Sequence, residues 1–290
     1  MRMDTAGDTG ESSKTGRERP EREIPGIAAA YVAREGGVLE SLDLTRGPWD
    51  PAHQHAGPPS AAIARAIEAA AAGHGLDHLA RLTVNLLRPV PIGELDIRVQ
   101  EDYIGRNAGH FSAQLLAGGR ECARVTALAL RQVDVPVPAG TPGHPLPQPP
   151  RPPGMCPVAH MPVFGEQIGY DDLVEIRVVR GRLFDGPTCA WFRLRYPLVD
   201  GEEPSACQRV AVAADSGNGI SAVLDFSRYV FINSDLTINL LRPPRGQWIC
   251  LDARTAFGET GSGLAESALY DEQGLLGRAT QSLLLRAREP

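Results

Sequence analysis

Apolar and polar residues alternate between Leu95 and Gln100: Leu95, Ile97 and Val99 against Asp96, Arg98 and Gln100. A period of two is the mark of a half-buried antiparallel strand. Strand-like runs also occupy 81–88, 94–103, 110–117 and 120–132, with glycine-bearing turns at 105–109 and 118–119. Upstream, 28–32 and 38–44 flank Gly36 and Gly37 and predict a short hairpin. Between hairpin and strands the pattern turns helical. Pro58 and Pro59 suit a first turn, where a missing N–H costs nothing, and 61–72 follow with good helix formers. Ile63 and Ile67 lie one turn apart with Ala66 and Ala70 beside them, a small-sided helix that a sheet can wrap closely.

The second part of the chain repeats this order. Strands are predicted over 173–179 and 189–195, a short helix over 205–214, and a second central helix over 219–229 with Ile220, Val223 and Leu224 as its apolar stripe. Strands at 234–242, 247–256, 262–271 and 276–286 follow. Residues 82–89 and 236–243 are identical at seven of eight positions, Val84 against Ile238 being the exception. A match of that length inside one chain points to duplication. At a similar offset, 102–105 align with 255–258, Arg131 with Arg286, and the helix start at 56–60 with 216–221. The reading is two copies of one domain, 25–132 and 165–290, joined by a Pro-rich linker over 133–164. Residues 1–24 hold almost nothing apolar and are expected to be disordered.

Composition narrows the function classes. The 290 residues carry a net charge of −6, which argues against nucleic acid as a partner. No apolar run reaches the roughly 20 residues of a membrane helix, and the N-terminus lacks the apolar core of a secretion signal. The expected location is therefore cytoplasmic. Five cysteines without paired spacing read as reduced thiols. His53 and His55 have no carboxylate or thiol at ligand spacing, so no metal is assigned. There is no phosphate-cradling glycine loop with its lysine and no Gly-x-Ser-x-Gly turn, so no cofactor is expected and any hydrolysis proceeds by direct attack of water.

Several stretches together carry a family resemblance: His55-Ala-Gly-Pro-Pro at the first helix, the run from Arg81 to Pro89, His110-Phe-Ser, Ala214-Asp215, Asn233-Ser-Asp235, Arg242-Pro243 and Thr280-Gln281. With the repeat order, the chain from about residue 26 onward resembles the acyl-CoA thioesterase II family. That family has an α+β tandem hotdog fold, each copy a long central helix wrapped by a curved antiparallel sheet. The resemblance implies an acyl-CoA or carrier-bound acyl thioester as substrate. It also implies a catalytic Asp before the second helix, a Thr or Ser entering the next strand, and a Gln in the last strand. These fall on Asp215, Asn233 and Gln281, with Asn233 in place of the hydroxyl residue. Hotdog sheet edges also offer a route to homo-oligomers, although here the two copies can satisfy each other.

The residues themselves leave alternatives open. Asp215 is a candidate general base; the alternative reading is an N-cap or first-turn carboxylate. The repeat pairs it with His55 in the first copy, so the fold does not require an acid there. Gln281 shares strand parity with Ala279, Leu283 and Leu285, placing an amide on an apolar face where it needs partners; its first-copy counterpart is Thr126. Asn233 is a site residue or an ordinary turn asparagine. Backbone N–H groups at Gly217, Asn218 and Gly219 are candidate oxyanion donors, and glycines also simply make turns. The leading expectation is a thioester hydrolase with Asp215 as base. The rivals are another hotdog enzyme, a dehydratase or cyclase, and a non-catalytic acyl-CoA-binding protein. Against the dehydratase stands the absence of any His after Asp215.

Overall fold

The computed structural model describes residues 24–288. The segment expected to be disordered, 1–24, lies outside them except for Ile24, which is buried and donates its N–H to the Tyr196 hydroxyl. The first half opens with β1 (Tyr31–Ala33) and β2 (Leu39–Ser41), turned through Gly36 and Gly37 at positive φ. Helix α1 (Gly57–Ala72) follows, then β3 (His78–Leu86), β4 (Glu94–Ile104), β5 (Ala108–Ala117) and β6 (Arg120–Leu130). Within 133–164 the one strand is β7 (Val158–Ala159). The segment is nonetheless docked, because Pro147 and Arg151 carbonyls accept from the Leu275 N–H and the Trp191 indole. The second half runs α2 (Tyr170–Leu173), β8 (Val174–Arg180), β9 (Thr188–Leu194), α3 (Ala206–Ala214) and α4 (Gly217–Ile220). It closes with β10 (Tyr229–Asn233), β11 (Asp235–Leu240), β12 (Ile249–Phe257), β13 (Ser262–Asp271) and β14 (Gly274–Ala287).

All these strands join one antiparallel sheet, and its order is the same outward from a central seam in both directions. One side reads β3-β6-β5-β4-β2-β1 and the other β11-β14-β13-β12-β9-β8, with β7 added at the far edge and β10 on β14. The seam is the antiparallel pairing of β3 with β11, the two near-identical runs. Thr83 faces Thr237, its own copy, and their hydroxyls bond at 3.3 Å. A local two-fold axis therefore passes between them, the self-complementary contact of a symmetric dimer made within one chain. Leu82, Val84, Leu236 and Ile238 are buried on the inner face of the seam.

On that inner face α1 packs against β3–β6 of its own half and against α3 of the other. The crossing is close: a Cβ on Gly57 would stand 2.5 Å from the Val212 carbonyl oxygen. Both halves feed one continuous buried cluster, which includes Ile63, Leu115, Val212 and Leu251. Among the described residues no helix is long and apolar enough to cross a membrane.

Three expectations are corrected. No helix spans 219–229. The central helix of the second half is α3, which ends at Asp215, and α4 adds a single turn before the chain leaves helical geometry. Gly217 and Gly219 are poor helix formers, and the Ile220 and Ala222 carbonyls accept from the N–H groups of Phe184 and Gly186 instead of continuing a helix. Ile220 is buried, but Val223 is 51% exposed, so no such stripe forms. Second, the start of α1 at Ala56 matches Ser205, the N-cap of α3, and not 216–221. Asp215 and His55 are therefore not equivalent positions. Third, Thr126 lies opposite Thr83 as Thr280 lies opposite Thr237, so Gln281 corresponds to buried Ala127 and not to Thr126.

Candidate active site

Asp215 sits where α3 breaks, 7% exposed. Its Oδ1 accepts from Asn233 Nδ2 at 2.7 Å and from Gln281 Nε2 at 3.2 Å. Gln281 projects inward from β14, and its Nε2 also reaches the Asp215 carbonyl at 3.1 Å while its Oε1 accepts the Asn218 N–H at 2.9 Å. Asn233 ends β10, just before the break at Ser234 that separates it from β11, so alternation along β11 does not govern its direction. The three residues singled out from the sequence are thus in direct contact.

A fourth comes from the other half. His55, two residues before α1, places Nδ1 3.1 Å from Asp215 Oδ2. Its ring stacks on Tyr170 with centroids 3.7 Å apart and planes 6° from parallel. The Tyr170 hydroxyl bonds the Val212 carbonyl at 2.8 Å and Ser216 Oγ at 2.9 Å, which fixes the ring against α3. The Gly57 N–H also points at His55 Nδ1, at 3.1 Å. One ring nitrogen cannot accept that hydrogen and donate its own. Donation to the carboxylate prevails, because a charge-assisted bond is the stronger and a bare lone pair facing Oδ2 would be repelled. Burial holds the His55 imidazole below its ordinary range, with the Asp215 charge opposing. Sequence reasoning met His55 in the family likeness, as the supposed repeat counterpart of Asp215 and in a His-x-His pair weighed for metal, and missed it as a partner of Asp215 because no local signal reports a contact between the halves.

A carboxylate has about four acceptor positions. His55, Asn233 and Gln281 occupy three, and one remains. Asp215 borders a cavity of about 550 Å³ built from both halves, with His55, Trp49 and 86–90 on one side and Phe184, Asn218, Phe226 and 229–233 on the other. Of the proposed oxyanion donors, Asn218 and Gly219 border this cavity, but the Asn218 N–H is committed to Gln281. Gly217 faces the sheet, since a Cβ there would meet Ser267 Oγ at 2.8 Å. The Asn218 side-chain Oδ1 is buried without a partner among the described residues.

Comparison with known proteins assigns the scaffold. Residues 45–130 match the family model of the acyl-CoA thioesterase N-terminal domain, and residues 143–285 match that of the C-terminal domain. The chain belongs to the acyl-CoA thioesterase family. As a member of that family it is a thioester hydrolase. Its fold is shared with a conserved protein of unknown function with a hotdog fold from Alicyclobacillus acidocaldarius, at 17% identity over 90% of this chain and 97% of the other, TM-score 0.66. A protein assigned to the thioesterases from Novosphingobium aromaticivorans is 21% identical over 91% of this chain and 100% of its own, TM-score 0.65. An acyl-CoA thioesterase II from Mycobacterium marinum is 14% identical over 87% and 94%, TM-score 0.60. At these identities the structural likeness speaks for the fold. A comparison with curated proteins gives no match.

Proposed function

We propose that this tandem hotdog protein hydrolyses acyl thioesters with Asp215 as general base and water as direct nucleophile. The observation that carries it is a buried carboxylate held by three donors from both halves at the border of the cavity. A water there would donate one hydrogen to Asp215. The water oxygen bonds the thioester carbonyl carbon, its proton passes to Asp215, the C–S bond breaks, and the proton leaves on the thiol. His55 and Gln281 fix the carboxylate, Asn233 donates where the family resemblance has a hydroxyl, and Gly219, which borders the cavity, is the remaining candidate for a backbone oxyanion donor. Replacing Asp215→Asn with the fold retained should lower kcat by about 10²–10⁴-fold, read as release of free thiol from acyl-CoA. Unchanged turnover would remove Asp215 from the mechanism.

A second reading gains from the same geometry. The absence of any His after Asp215 weighed against a dehydratase, but His55 from the first half supplies that imidazole. Product analysis on a β-hydroxyacyl thioester separates the two: free thiol means hydrolysis, an unsaturated thioester means elimination.

A further inference from the structure

We infer that Tyr170 is a positioning residue for the reaction, resting on Asp215 as the hydrolytic centre: it sets the angle at which His55 meets that carboxylate. Tyr170 is fully buried in α2 and stands behind the wall of the cavity, whose lining includes His55, Asp215 and Ser216 but not the tyrosine itself. Two neighbouring carbonyls of the first half place both rings. The Thr45 carbonyl accepts the His55 N–H at 2.8 Å, and the Arg46 carbonyl accepts the Tyr170 N–H at 3.0 Å. The Arg46 side chain also donates to the Ile168 carbonyl at 3.1 Å and to Asp43 Oδ1 at 2.7 Å, tying this stretch to the segment that enters α2. The two backbones are thus fixed together, and the rings they carry lie face to face.

An imidazole turns readily about its last side-chain bond, because that rotation has broad minima. Its hydrogen bond to Asp215 weakens steeply once the N–H tips away from Oδ2. A flat ring lying against the imidazole face blocks that tipping, and Phe164 packs against Tyr170 in turn, with centroids 6.5 Å apart. At its hydroxyl end the tyrosine is tied to the backbone that carries Asp215. The phenol has one hydrogen and the Val212 carbonyl can only accept, so the phenol donates there and accepts from Ser216 Oγ. Burial pushes the pKa of the phenol up, so it stays neutral and keeps that hydrogen. Asp215, His55, Tyr170 and Ser216 therefore close a ring of contacts, with the tyrosine as spacer between the imidazole and the chain on either side of the acid. Among the described residues, the titratable groups facing the imidazole are Asp215 from the end of α3 and Tyr170 from α2. An apolar side chain of similar volume would fill the same space, but it has neither the flat face nor the hydroxyl.

The test measures kcat, KM and the NMR titration of the His55 imidazole in wild type, Tyr170→Ala and Tyr170→Phe. Tyr170→Ala should lower kcat about tenfold, roughly what one hydrogen bond contributes, with KM within about twofold of wild type. It should also raise the His55 pKa toward its ordinary value of about 6.5, because water then reaches the uncovered face. Tyr170→Phe keeps the stack and should recover most of that turnover. In it His55 should stay depressed, and kcat should lie about two- to threefold below wild type for the lost bonds to Val212 and Ser216. An unchanged kcat in Tyr170→Ala would overturn the inference, as would a fall in kcat with His55 titrating as in wild type, or a Tyr170→Phe variant no better than Tyr170→Ala. If Tyr170→Ala does not fold, Tyr170→Phe decides alone: a kcat equal to wild type, or a rise in KM in place of a fall in kcat, overturns the inference. A raised His55 pKa in Tyr170→Ala, in a protein that releases no thiol, would sink the hydrolytic reading of Asp215 and leave the hold of Tyr170 on His55 standing.

Discussion

Burial lowers the proton affinity of His55, and the facing Asp215 carboxylate only partly restores it. As pH falls below about 6.5, the unfolded chain takes up this proton before the folded one does. The contribution of His55 to stability is thus fully present above that value and is lost as pH falls toward the depressed folded value. His55→Gln should lose less Tm than wild type between pH 7.5 and 5.5. His78 is also depressed by burial, but it is common to both proteins and cancels in the difference. Equal losses in the two proteins would show that His55 does not titrate as the geometry requires. At this scale the sequence was readable where one strand carries the information. The parity of Gln281 with Ala279 and Leu283 correctly put an amide on the inner face, and it is 2% exposed. His55 was unreadable as a site residue because its partner lies 160 positions away across the two halves.

Helix α1 shows how an element sets the site. Gly57 lets its first turn approach the Val212 carbonyl, and His55 reaches Asp215 only because α1 and α3 cross so tightly. Gly57→Ala should cost about 1–3 kcal/mol through overpacking, read by urea denaturation, and should also lower kcat by moving His55 from Asp215. Loss of stability with unchanged kcat would separate the crossing from the site. The second half had the opposite fate in sequence reading. Ile220, Val223 and Leu224 have helical spacing, but the loop at 184–186 takes the carbonyls that a helix would need. A local pattern cannot report a long-range competitor for its own backbone, and so the central helix of the second half was expected after Asp215 when it is α3, before it.

At the scale of the whole molecule, the seam between β3 and β11 makes one sheet of two halves, and the buried cluster crosses it without interruption. A single cooperative transition is therefore expected in calorimetry, with calorimetric and van't Hoff enthalpies in agreement. Two resolved transitions would mean that the halves are stable separately despite sharing their core. The repeat and the antiparallel strands could be read from the chain, because alternation and internal likeness are local properties of a sequence, whereas Asp215, Asn233 and Gln281 were singled out by the family resemblance. Tertiary structure alone decided that the Asp215 carboxylate stands at a helix break, that a histidine from the other half meets it, and that Trp49 and Arg288 share one cavity with it. Each of those depends on which surfaces the two halves present across the seam, and a contact between distant segments leaves no periodic trace along a single chain.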